Sequence, residues 1–255
     1  LFRSGQTAGT PWTGNAGVRE RVSEIMDRQR QTGDVLTDEE ETETQKIRPN
    51  RKILPQDPNA RALPQWPPAQ TNVPQQSISP TSPQTLSTSF TGATLSGTNP
   101  TSAFPPDTMG AVGPTQYVVA VNNRIVTFNK TTGVADGVIN ATTNTFFNSV
   151  RNASGTSDPR IRYDRLTQRW FVVIINVSTP NRILVAVSDA ASAGVISAST
   201  VFTFFFIPVD TTPPSISNTC LADYPTLGVD SQALYIGTNN FCGSPQTFDS
   251  TDGYV

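Results

Sequence analysis

The chain has 255 residues, 36% of them apolar, and its 18 Lys and Arg against 20 Asp and Glu leave a formal net charge of −2. The ten basic residues among the first 62 are matched by ten acidic ones, so no basic face can follow a phosphate backbone, and nucleic acid is not an expected partner. Histidine is absent, which removes the usual general base at neutral pH, any Ser-His-Asp triad and the commonest transition-metal ligand; no apolar run reaches the roughly 18 residues of a membrane-spanning helix.

Residues 1–60 read as a charged N-terminal segment with one short amphipathic helix. Val18, Val22, Ile25 and Met26 share a stripe of helical period, with Asn15 placed to cap its start and Gly33 its end. The acidic run from Asp38 to Glu43 and the basic residues Lys46, Arg48, Arg51 and Lys52 then read as a solvated linker. Residues 61–105 form an arm rich in Pro, Ser, Thr and Gln, with no charge between Arg61 and Asp107. Its few large apolar residues cannot bury enough surface to fold alone, and its prolines favour extended backbone. Docking must therefore hold it, with Trp66, Phe90 and Phe104 as anchors. A protein partner, or other copies of the chain in a larger assembly, is expected ahead of docking on its own domain.

Residues 106–255 read as an all-β region of repeated antiparallel hairpins. Stretches opening at Asp107, Asp158 and Asp223 share one template: Asp, a short apolar segment, a turn, and a longer apolar segment ending in Asn. Val112 and Tyr117 of the first copy fall on Val229 and Leu234 of the third at an offset of 117 residues, and on Tyr163 and Trp170 of the second when two turn residues are added. Turns are expected at Gly113-Pro114, Lys130 to Gly133, Asp164 to Thr167, Asp189-Ala190, Pro213-Pro214 and Asp230-Ser231. The continuous apolar run from Trp170 to Val177 reads as a buried strand.

The only cysteines, Cys220 and Cys242, lie symmetrically about Ser231, the turn of the third hairpin. In an antiparallel hairpin of that register they face each other, so a disulfide is expected, with a stabilisation of about 3 kcal/mol and an oxidising compartment as corollaries.

The segments Asp158-Pro159-Arg160-Ile161-Arg162-Tyr163-Asp164 with Arg169-Trp170-Phe171, and Asp223 to Asp230, resemble blades of secreted bacterial β-propeller proteins. The resemblance covers about residues 104–255. It implies propeller-like blades and an extracellular, cell-surface or periplasmic location, and it implies no catalytic set, since such proteins share blade-building residues only. Three blades are too few to close a ring, so further blades are expected beyond Val255, ahead of blades from other chains or a smaller sandwich.

Two clusters are candidates for a ligand. Asp107, Asp158 and Asp223 recur at one blade position and could ring a channel, while Arg160 and Arg162 could grip an anionic glycan. Turn capping by the Asp residues and alternation in a solvated hairpin account for both more simply. Calcium is conceivable, but Asp136, Asp158 and Asp164 lack the alternation of a calcium loop, and no cofactor is expected. The function expected is a non-enzymatic interaction module docked through its arm; the alternative is a carbohydrate-binding or glycan-hydrolysing propeller.

Overall fold

The structure, a computed structural model, describes residues 9–34, 85–214 and 217–255. Trp66 and the charged linker lie outside the described residues. The described chain is mostly β, in three antiparallel sheets taken up in chain order. The first sheet is the meander β2 (Met109–Val112), β3 (Gln116–Val121), β4 (Arg124–Asn129) and β5 (Ala135–Ala141). A single helical turn, α2 (Thr143–Phe146), leads into the second meander: β6 (Thr156–Asp164), β7 (Arg169–Asn176), β8 (Arg182–Ser188) and β9 (Val201–Pro208). In the third, β10 (Leu221–Asp223) and β11 (Gly228–Val229) pair with one side of β12 (Leu234–Cys242), and β13 (Thr247–Tyr254) pairs with the other.

The sequence repeat is realised as register. The last pair before the turn is Val112 with Tyr117 in the first hairpin and Val229 with Leu234 in the third. In the second, Tyr163 pairs with Trp170, and one further pair, Asp164 with Arg169, spans the two extra residues. The turns are built by local carboxylates. Asp164 accepts from the amides of Leu166 and Thr167 at 3.1 and 2.9 Å, and Asp230 from those of Gln232 and Ala233 at 2.7 and 3.0 Å.

The sheets stack face to face, which explains the unbroken apolar run in β7. Its even-numbered residues Trp170, Val172 and Ile174 pack toward Val118, Ile125 and Ile139 of the first sheet, and its odd-numbered residues Phe171, Val173 and Ile175 join Ala222, Leu227 and Ile236 of the third. A strand covered on both faces has no use for polar alternation. The first strands converge, β6 lying against both β2 and β11. Gly113 sits where the first hairpin turn meets Trp170; a Cβ there would lie 2.4 Å from the indole.

The N-terminal stripe departs from its expectation. Val18 lies in a strand, β1 (Val18–Arg21), which pairs antiparallel with β9 and becomes the fifth strand of the second sheet. Helix α1 (Val22–Thr32) starts after it, with Arg21 and not Asn15 at the cap: the Glu24 carboxylate accepts from the Arg21 amide at 2.7 Å. Gly33 ends the helix as expected, with φ 66° and its amide donating to the Gln29 carbonyl. The cause is tertiary. The free edge of β9 offers backbone bonds to any extended neighbour, and ending the helix early still leaves Val22 and Ile25 to enter the core between the first two sheets. The stretch from Val18 to Thr32 is thus part of the sheet stack.

Cys220 and Cys242 form a disulfide, with Cα atoms 4.1 Å apart, in the pair next to Leu221 with Phe241. Among the described residues no helix is long and apolar enough to cross a membrane.

Candidate functional site

The described part of the arm, residues 85–105, runs across the outer face of the first sheet, where Val119, Val121, Val126 and Phe128 form a small separate core. Phe90 is its anchor: the ring stacks at 4.8 Å on Phe128 and meets Tyr117 edge-on at 5.9 Å. So this stretch docks on its own domain, where a partner surface was expected to come first. Backbone and amide bonds fix the rest. Arg124, buried in β4, donates to the Pro100 carbonyl at 2.8 Å and to Asn140 at 3.3 Å, and pairs with Asp34 at 3.0 Å, tying arm, sheet and helix end together. Phe104 behaves differently. It is 74% exposed, as Leu95 is 58% exposed, and both border a cleft of about 920 Å³ between the arm and the sheet. The walls of this cleft are mainly apolar, with Val112, Val119 and Lys130 among them.

The second cluster lies where the first strands converge. Asp107, at φ 42°, accepts from the Asn122 side-chain amide Nδ2 at 2.7 Å; Asn122 Oδ1 in turn accepts from the Asp158 backbone amide at 2.8 Å and from the Ser157 hydroxyl at 3.3 Å. Asp158, at φ 60° in a bulge of β6, accepts from the Tyr224 backbone at 3.3 Å. The repeated Asp positions therefore link one sheet to the next, Asp107 and Asp158 through Asn122, and Asp158 on to the residue after Asp223. Asp223 is itself buried in β10, opposite Asn239. Arg160 is buried, its guanidinium 4.2 Å from the Tyr224 ring centroid and donating to the Pro159 carbonyl at 2.9 Å. Arg162 is exposed and donates to the Ile161 carbonyl at 3.0 Å.

These bonds define what the cluster can do. Asp107 and Asp158 take backbone and amide donors that position neighbouring strands, and the Arg160 charge is spent on an aromatic face. The bonds that Asp107 and Asp158 make hold neighbouring strands together.

No protein-family model, curated protein or solved structure matches the chain.

Three amides that join sheets escaped sequence reasoning. Gln116 accepts from the Ile196 amide at 2.7 Å and returns a bond to the Ile196 carbonyl at 3.0 Å, Asn181 accepts from the Ala222 amide at 2.9 Å, and Asn122 acts as described. Asn122 aligns with Asn239 but with Ile175 in the second copy, so the Asn common to all three hairpins is its neighbour Asn123.

Proposed function

We propose that the chain is a non-enzymatic, propeller-like interaction module that works outside the reducing cytoplasm and docks into a surface or periplasmic assembly. The observation that carries this reading is that both ends of the sheet stack present apolar surface. At one end Leu95 and Phe104 stand 58% and 74% exposed beside the arm cleft; at the other the outer face of the third sheet carries Tyr235 and Phe248, 39% and 60% exposed, with Phe248 against Phe241. Exposed large apolar side chains at both ends are what a docking surface would use.

The propeller reading is supported by three consecutive meanders stacked face to face with their first strands converging, the arrangement in which a further sheet or a partner would cover each end. The Cys220–Cys242 disulfide supports an oxidising compartment. Resemblance to secreted propeller proteins at Asp158 to Asp164 agrees with both. A glycan-binding alternative would draw on Asp158 and Arg160, which already hold neighbouring strands.

A photo-crosslinking residue placed at Phe104 or Phe248 in the natural host tests the reading. Protein adducts from those sites, and none from the equally exposed hairpin tip at Leu166, are the expected result. Absence of adducts from both end surfaces would sink it.

A further inference from the structure

One buried charge in the third sheet is left unexplained by folding. Asp252 is 4% exposed in β13, yet its Oδ2 meets no hydrogen-bond donor and no cationic side chain among the described residues pairs with it. A buried carboxylate oxygen without a donor is unfavourable unless something compensates it. Its surroundings are oxygen-rich by register. Thr238 lies opposite Asp252, Asn240 opposite Ser250 and Ile236 opposite Tyr254, so the five polar side chains of this set share one face. They touch in sequence: the Thr238 hydroxyl donates to Asn240 Oδ1 at 3.3 Å, Asn240 Nδ2 to Ser250 Oγ at 3.3 Å, and Ser250 Oγ to Asp252 Oδ1 at 3.2 Å. All are long for hydrogen bonds of their type, so they leave the Asp252 charge poorly matched.

We propose that this cluster binds a hard cation, calcium, with Asp252 as its anionic ligand and the Thr238, Asn240 and Ser250 oxygens beside it. The donor chemistry selects the ion. Every candidate ligand is an oxygen, which disfavours soft thiophilic metals, and one carboxylate among neutral oxygens in an irregular cage suits calcium's variable coordination better than the strict octahedron of magnesium. With a single carboxylate the affinity belongs in the range of extracellular modules, with a dissociation constant of about 0.1–1 mM. The inference does not depend on the partner-docking reading, since the cluster lies on the inner face of the sheet and the exposed aromatics on the outer one.

Calorimetric titration of the full chain with calcium chloride is the test, joined by terbium luminescence excited through Tyr254, two residues from Asp252 on the same face. One calcium should bind. Asp252→Asn should weaken it by at least about tenfold, the scale of losing a ligand or its support, while Tyr254→Phe should lower the sensitised emission. Thr238→Val keeps the charge and should weaken binding by a smaller factor, which guards against an Asp252 variant that fails to fold. A folded wild type that shows neither heat nor a higher melting temperature at millimolar calcium would overturn the proposal. So would an Asp252→Asn chain that binds as tightly, or one that is more stable than wild type with and without calcium.

Discussion

Asn122 shows how much a single amide can hold in this protein. Its side chain bonds to Asp107, to the Pro105 carbonyl at 3.0 Å and to the Asp158 amide, so it joins the arm, the first sheet and the second. Asn122→Ala leaves a buried amide and a carboxylate without their partner and should destabilise by about 1–3 kcal/mol in urea unfolding. A second residue-scale prediction concerns acid. The Asp164 carboxyl is held below its ordinary range first by the Thr167 hydroxyl and then by local amides, and Asp230 by the amides of Gln232 and Ala233 and the Tyr235 hydroxyl. Burial raises Asp189, but the Ser192 hydroxyl and the Val201 and Ser192 amides outweigh it, so its carboxyl also lies low. A carboxyl with a folded pKa below its unfolded value near about 3.9 stabilises above that value, and the contribution is lost as pH falls through the folded pKa. Melting temperature should therefore fall as pH drops below about 4, and the fall should be shallower in Asp164→Asn, which removes one of these groups.

At the scale of elements the hairpin turns and the disulfide decide most. Gly113→Ala drives a methyl into Trp170, whose indole is held by its N–H donating to the Gly194 carbonyl at 2.9 Å and by Tyr163 at 4.9 Å, so the ring has little room to yield. The expected loss is about 1–3 kcal/mol, with a shift in tryptophan fluorescence of the folded state. Opening the disulfide with Cys220→Ser and Cys242→Ser removes a link across 22 residues and should cost about 3 kcal/mol, read as a lower urea midpoint. Deuterium exchange should rise most at β10 and β13, the short and the outer strand that flank it.

Across the whole molecule, α1 and β1 make the N-terminal segment a working part of the sheet stack. Ile25, 1% exposed between the first two sheets, should cost about 2–5 kcal/mol as Ile25→Ala, and the loss should appear in a single unfolding transition that includes the first and second sheets. A separate early transition for the N-terminal segment would contradict this. Truncations that aim to free the arm must accordingly keep Val18 to Thr32, because removing them exposes the edge of β9 and opens the core.

Much of this was legible beforehand, for reasons of range. Hairpins are local, so their turn residues and the repeated template identified all three copies, which the structure then pairs as Val112 with Tyr117 and Val229 with Leu234, and the symmetry about Ser231 paired the cysteines. By the same logic Asp164 and Asp230 were readable as turn builders, since their donors lie within five residues. What joins one sheet to another was not readable: Asn122 reaches 36 residues along the chain, Asn181 41 and Gln116 80, and no local pattern marks such partners. Val18 failed for a related reason. A stripe of Val and Ile fits helix or strand, and the choice fell to the open edge of β9, nearly 190 residues away in sequence, where Val18 pairs with Phe204. The sequence by itself determined the β class, the repeat and the disulfide, because each is set by neighbours along the chain. Only the tertiary structure decided where the arm rests, which carboxylates are already occupied, and that Asp252 is buried without a counter-charge, because burial and pairing depend on what the fold brings from afar.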